Sequence, residues 1–183
     1  VTVALGDGVV MRLVTEGDAQ ALTDAYARNH EHLHRWEPRR PKGFFTLAGQ
    51  SERVRLQLEL HAEGRLMPWV LADGDLVVGA FNLSNIVYGP FQSGNLGYWV
   101  DAGYAGRGLA TRAALEVCRE AGGRLGLHRI EAGTLLDNAA SQRVLRKAGF
   151  EPFGIAPRYL AINGKWRDHR LFQRILHNRP PIS

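Results

Sequence analysis

Two glycines flank an arginine in Gly106-Arg107-Gly108-Leu109-Ala110-Thr111, immediately before an alanine-rich segment of helical character. Glycines at such a junction let the backbone approach a ligand closely. The first N–H groups of the helix that follows have no partner within it, and the positive end of the helix dipole lies behind them, so the junction suits phosphate. Leu96-Gly97-Tyr98-Trp99-Val100 precedes it as an apolar strand, and residues 97–110 therefore read as strand, glycine turn and helix. A dinucleotide fold is the first candidate, because Gly106 and Gly108 imitate the start of G-x-G-x-x-G and Glu131 lies downstream. The context disfavours it: the third glycine is missing, the turn after Val100 is too long, and hairpin strands come before it.

Other residues of chemical interest are scattered along the chain. Asp137-Asn138 offers a helix cap, with Ser141 one turn inside. Glu37 beside Trp36, Asp101 after the strand, Tyr98 on it and Glu131 on the next are candidates for a general base, each equally readable as a surface charge or a core aromatic. Asn82 and Ser84 close an apolar run, either to orient a substrate or only to end a strand. His30, His32 and His34 diverge at a helix end, and no cysteine or tight carboxylate group completes a shell, so no metal is expected. Cys118 reads as small core filler. Asp168-His169 has the form of a catalytic pair, yet on a closing strand it equally shapes a groove. Arg39-Arg40 and Arg167/Arg170 are solvated faces or, beside a groove, favour an acidic acceptor.

Patterning supplies the scaffold these residues need. Residues 9–14 alternate as a strand, and Thr15-Glu16-Gly17-Asp18 has the form of a capping box, predicting a helix over 16–30. Residues 46–63 predict a second helix, although Leu56, Leu58 and Leu60 also alternate. Residues 67–72 and 76–83, joined by Asp73-Gly74-Asp75, predict a hairpin. After the strand at 96–100, a helix begins near Arg107 with Ala110, Ala114, Val117 and Ala121 on one stripe, ended by Gly122-Gly123. A strand over 128–135 follows, then a helix after Asn138 with Ala140, Val144 and Ala148 inward and Gly149 at its end. Strands over 151–160 and 166–175 close the chain around Asn163-Gly164, before a frayed end at 177–183. Hairpins first and strand–helix alternation later imply one domain over 1–183, α/β or α+β, with a mixed sheet covered on both faces.

Composition sets the broad class. The 183 residues, 45% of them apolar, suffice for one domain with a core, and the formal charge of +5 suits an anionic partner: a polyphosphate cofactor, an acidic substrate or ribosomal nucleic acid. A single cysteine forbids an internal disulfide or cysteine zinc cluster and fits a cytoplasmic home. No signal-like or membrane-crossing apolar run is found, so no membrane partner is expected.

Tyr104-Ala105-Gly106-Arg107-Gly108-Leu109-Ala110 resembles the acyl-CoA pyrophosphate loop of GNAT acetyltransferases, Gln/Arg-x-x-Gly-x-Gly/Ala. Gly108 and Ala110 stand at its last two positions, and Ala105 stands where Gln or Arg is usual. Asn138-Ala139-Ala140-Ser141, followed by Val144, Lys147, Ala148, Gly149 and Phe150, is similar to the Asn-x-x-Ser…Gly-Phe helix of the family. The opening, with Asp18, Asn29, Leu33 and Trp36-Glu37-Pro38, and the closing Ile162-Asn163-Gly164-Lys165-Trp166-Arg167-Asp168-His169 resemble its RimJ/RimL branch. Together these span nearly the whole chain in the family's order.

The resemblance implies a single GNAT domain with a splayed sheet, acetyl-CoA as cofactor and no metal. It implies pantetheine along 97–100, with an amide near Trp99 facing the thioester oxygen, Val100 beside it, and pyrophosphate on Gly106, Arg107, Gly108, Leu109, Ala110 and Thr111, with Asn138 nearby. Ser141 becomes a proton donor to the leaving sulfur, Glu37 and Tyr98 are catalytic candidates, and Trp36, Asn82 and Ser84 line the acceptor groove. The implied reaction is direct acetyl transfer to a primary amine in a ternary complex. The acceptor is a protein N-terminal α-amine, ribosomal or other, with nucleic acid involved only indirectly and a homodimer among the expected assemblies. A small-molecule amine such as an antibiotic or polyamine is the alternative acceptor. A non-catalytic acyl-CoA-binding or nucleic-acid-binding module, to which Ala105 points, is the alternative class.

Overall fold

Short turns between alternating apolar segments build most of the sheet. The computed structural model describes residues 2–181, and among them eight strands form one sheet. Strands β1 (Val3–Gly6) and β2 (Val9–Leu13) are followed by helices α1 (Ala19–Arg28), α2 (His30–Leu33) and α3 (Leu47–Ala62). Next come β3 (Met67–Asp73), β4 (Leu76–Val87), β5 (Ser93–Val100), α4 (Leu109–Gly123), β6 (Arg129–Leu135), α5 (Ala139–Lys147), β7 (Glu151–Ile162) and β8 (Lys165–Ile175). The expected mixed sheet with helices on both faces is observed, and α3 takes the helical reading of its leucines.

Several boundaries differ from expectation for local reasons. Strand β1 was not anticipated; Asp7 and Gly8, with φ of 54° and 79°, make the two-residue turn that pairs it with β2. The first predicted helix is divided into a 3₁₀ turn at Glu16–Asp18 followed by α1 and α2. The Asp18 carboxylate there accepts from the Thr15 N–H and hydroxyl. Helix α4 begins at Leu109 rather than Arg107, because Gly106 and Gly108 hold φ of 77° and 74°. Gly122 and Gly123 lie inside α4, and the left-handed Gly126, φ 66°, turns the chain instead. In α5 the inward residues are Gln142, Leu145 and Ala148, whereas Ala140 is exposed. The segment expected to fray is tied down in part, with the His177 ring against the Gly126 carbonyl and Arg179 on the Gly122 carbonyl. The last two residues of that stretch, 182 and 183, lie outside the described residues.

Strand order is β1-β2-β3-β4-β5-β6-β8-β7, antiparallel throughout except where β5 meets β6. That parallel pair is short: Ser93, Gly94 and Asn95 face Arg129, Ile130 and Glu131, and the ladder then stops. Strand β5 continues to Val100 against β4, and β6 continues to Leu135 against β8, so the two diverge into a notch with unpaired edges. Period-two alternation divides β5 between two cores. Leu96, Tyr98 and Val100 face α4 and α5, whose Leu109, Ala114, Val117 and Leu145 fill the core on that side. Trp99 faces the opposite core, with Leu22, Ala25 and Tyr26 of α1 and Val54 of α3.

Candidate active site

The glycine turn is anchored from three sides, and its amides are left open. Asp101, which ends β5, accepts from Arg28 Nε at 2.8 Å, Asn29 Nδ2 at 2.8 Å and Gly103 N–H at 2.7 Å. Burial pushes its pKa up, but these donors outweigh burial and hold the carboxyl below its ordinary value. Asn29 is wholly buried and also accepts the Ala102 N–H at 3.0 Å. Tyr104 donates to Asp73 at 2.6 Å, fixing the turn to the β3–β4 hairpin. From Gly106 to Thr111, no backbone N–H finds an acceptor among the described residues, and the first helical bond is Arg112 N–H to the Gly108 carbonyl. Leu109 is buried while Ala110 and Thr111 are half-buried, so these three offer a ligand mainly their amides. Arg107 is turned aside, donating to the Gly103 carbonyl at 2.9 Å with its guanidinium 4.6 Å above the Tyr104 ring.

The notch between β5 and β6 is bridged by two hydroxyls. Tyr98 on β5 lies 2.7 Å from Ser141 Oγ on α5, and its ring stacks on Phe81 at 4.9 Å. Burial pushes the Tyr98 phenol up to about 12, against a smaller downward pull from the Ser141 hydrogen bond. Tyr98 is therefore held protonated at neutral pH, which suits a hydrogen-bond donor better than a base. Ser141 is held by Asn138, whose Oδ1 accepts the Ser141 N–H at 3.1 Å. Gly97 is exposed, and a Cβ there would meet nothing within 4 Å.

Glu37 lies apart, on the α1 side, in a pocket of about 240 Å³ lined by Tyr26, His30, His34, Arg39, Arg40 and Phe45, among others. Burial raises its pKa, with Arg40 and Arg53 pulling the other way. Its carbonyl accepts the Asn163 N–H at 2.9 Å, so the β7–β8 turn closes this pocket. Tyr26, in the pocket wall, accepts the Trp99 indole N–H at 3.0 Å, which connects the pocket to β5 and leaves Trp99 only its backbone for a ligand. No hydrogen bond or ion pair joins Glu37 to Tyr98 or Ser141 among the described residues. Trp36 is half-buried under the Arg35 guanidinium at 4.5 Å, and Arg35 pairs with Asp137 at 3.1 Å, next to the α5 cap.

Other expected residues fall outside these clusters. Asn82 is engaged by Gln57 of α3 at 3.0 Å, and Ser84 reaches only the Asn95 carbonyl, at 3.5 Å. Glu131 pairs with Arg129 at 3.0 Å. Asp168 and His169 point to opposite faces: Asp168 accepts the Arg158 N–H, while the buried His169 turns to the Arg167 carbonyl, so they form no dyad. His30 and His34 stack at 5.8 Å, and no group of three metal-ligating side chains occurs among the described residues. Cys118 is buried in the core. Tyr26, Gln57 and Arg53 carry no sequence signal of their own, because their roles rest on contacts with Trp99, Asn82 and Glu37 far along the chain.

Residues 9–151 match the model of the acetyltransferase (GNAT) domain. The chain belongs to the GNAT acetyltransferase family. This GNAT chain is 36% identical over 167 residues to the [ribosomal protein uS5]-alanine N-acetyltransferase of Escherichia coli, covering 90% of the chain and 86% of that protein. Among solved structures it resembles the ribosomal-protein-S5-alanine acetyltransferase of Vibrio fischeri, with a TM-score of 0.94, 34% identity and coverage of 99% and 100%. Mycobacterium smegmatis RimJ in complex with CoA-disulfide gives a TM-score of 0.87 at 30% identity, covering 91% of this chain and 81% of that one. The chain is thus a GNAT N-acetyltransferase close to ribosomal-protein N-acetyltransferases, and acetyl-CoA is the acetyl donor of its family. Among the described residues no helix is long and apolar enough to cross a membrane.

Proposed function

We propose that this GNAT enzyme acetylates the N-terminal α-amine of a protein, ribosomal in the leading case, and that the reaction takes place in the cytoplasm. The observation that carries the site assignment is six consecutive open amides, Gly106 to Thr111, beside a strand notch bridged by Tyr98 and Ser141. The relatives named as acting on an alanine of a ribosomal protein support the acceptor.

The residues present fit the cofactor. Positive φ at Gly106 and Gly108 exposes the turn, and the open amides with the α4 dipole behind them suit a pyrophosphate. The unpaired edge of β5 over 96–100, including the backbones of Trp99 and Val100, gives pantetheine a strand to pair with. Acetyl-CoA supplies the acetyl group as a thioester. An N–H near Trp99 stabilises the charge that develops on the carbonyl oxygen. As the C–N bond forms and the C–S bond breaks, Ser141, its oxygen hydrogen-bonded to the protonated Tyr98 phenol, gives its proton to the sulfur, and the proton taken from the amine returns to Ser141 through solvent.

An α-amine with a pKa of roughly 7.7–8.0 is already about a tenth neutral at pH 7, against below about one in a thousand for lysine near 10.4. The base therefore has a modest task. Glu37 takes the amine proton through water, its raised pKa placing it nearer the operating pH than Asp101, whose carboxyl is held down. The Glu37 pocket, with Trp36 beside it, receives the first residues of the acceptor, and Arg39 and Arg40 favour an acidic chain.

Thiol release and mass measurement with Ala- and Ser-initiated peptides, N-blocked peptides, free lysine and aminoglycosides test the acceptor. Acetylation confined to free α-amines supports the reading. Preference for an aminoglycoside would replace it with small-molecule transfer, and release at background with every amine would leave a binding module. Glu37→Gln should flatten the acidic limb of kcat/KM, which in the wild type should fall through a midpoint above the ordinary glutamate value of about 4.3. An unchanged limb would remove Glu37 from the mechanism.

A further inference from the structure

Ala105 provides no side-chain donor at the entry to the phosphate turn, and Arg107 is already engaged with Gly103 and Tyr104. A different cation lies against the turn. Arg112 sits four residues after Gly108, and because helix side chains lean toward the N-terminus, its guanidinium folds back over the junction. Nη2 donates to the Arg107 carbonyl at 3.0 Å and lies 3.6 Å from the Asp7 carboxylate in the β1–β2 turn. Nη1 stands 3.2 Å from where a Cβ on Gly108 would be. Nε is buried without a partner, and Nη1 makes no hydrogen bond among the described residues. A guanidinium carries five N–H donors in a planar fork, yet only Nη2 of Arg112 is used within the protein, and Nη1 is left against Gly108, in the row of open amides.

We propose that Arg112 is the pyrophosphate cation of this enzyme, supplying from within α4 the contact that Ala105 withholds. This rests on the acetyl-CoA reading above. One arm of the fork holds the Arg107 carbonyl, which keeps that acceptor from turning toward the anion; Nη1 meets the phosphate beside the Gly108 to Thr111 amides. Asp7 steadies the guanidinium when no anion is bound.

The test is calorimetry of acetyl-CoA with the full chain and its Arg112→Gln variant. The variant should bind about tenfold or more weakly with a shallower salt dependence, while kcat at saturating acetyl-CoA stays within about twofold. S-acetyl-pantetheine, which has no pyrophosphate, should be used equally by both proteins. Adding Ala105→Arg to Arg112→Gln should restore most of the affinity. Wild-type protein that does not bind acetyl-CoA would contradict the cofactor reading itself. Wild-type binding with Arg112→Gln within about twofold of it would overturn the Arg112 assignment alone. So would an equal loss toward S-acetyl-pantetheine without rescue by Ala105→Arg, since that pattern marks a loosened loop rather than a lost phosphate contact.

Discussion

Helices α4 and α5 lie on the same face of the sheet, and their N-termini are built in opposite ways. Helix α4 is entered through the left-handed Gly108, with no side-chain cap, and the N–H groups of Gly106 to Thr111 stay open. Helix α5 is entered through Asn138 and is closed on itself: Asn138 N–H reaches the Leu135 carbonyl, Ala139 N–H the Asp137 carbonyl, and Ser141 N–H the Asn138 side chain. An open N-terminus is a place for a ligand's charge, whereas a capped one fixes the side chains of its own first turn. In the proposed reaction this difference separates cofactor binding at α4 from proton transfer by Ser141 at α5.

Closing the open end should have the largest effect. Gly108→Asp adds a Cβ against Arg112 and a carboxylate at the phosphate seat, and should weaken acetyl-CoA binding by about 100-fold or more in a calorimetric titration. Removing the hydroxyl from the closed end should act on rate instead. Ser141→Ala should lower kcat by about 100-fold with acetyl-CoA affinity within about twofold, and an affinity loss matching that of Gly108→Asp would erase the distinction between the two ends.

Smaller effects test the supports. Asp101→Asn should cost about 2 kcal/mol in chemical denaturation, through loss of hydrogen bonds to a charged group. Because the folded pKa of Asp101 is depressed, its contribution is full above the unfolded value of about 3.9 and is lost as pH falls through the lower folded value. The asparagine variant should lack this part of the acid loss. Asn138→Ala, which uncaps α5, should cost about 1 kcal/mol and lower kcat only several-fold, leaving acetyl-CoA affinity intact.

The α4 end was legible in sequence because everything it needs is local: an apolar strand, two glycines and an alanine-rich helix within 15 residues of each other. The α5 cap was legible for the same reason, in Asn138 and Ser141. What was not legible depends on distant segments meeting. The Glu37 pocket needs Asn163, in the turn of the far β7–β8 hairpin, to donate its N–H to the Glu37 carbonyl, and Tyr26 to stand under Trp99. How far β5 and β6 pair before diverging is set by their other neighbours, β4 and β8, and no residue in either strand signals it. Some signals were present and overlooked. Asp7-Gly8 is a hairpin turn in its own right, and the period of two in β8 places Asp168 and His169 on opposite faces. The i+4 spacing from Gly108 already lays Arg112 on the turn.

Residue-resolved amide exchange, without and with acetyl-CoA, tests the contrast between the two helix ends most directly. The account predicts that the Leu109, Ala110 and Thr111 amides exchange fast in the free enzyme and become protected on binding, while the Ser141 amide is protected in both states. Unaltered exchange at 109–111 in the bound enzyme, or protection gained at Ser141 instead, would contradict it.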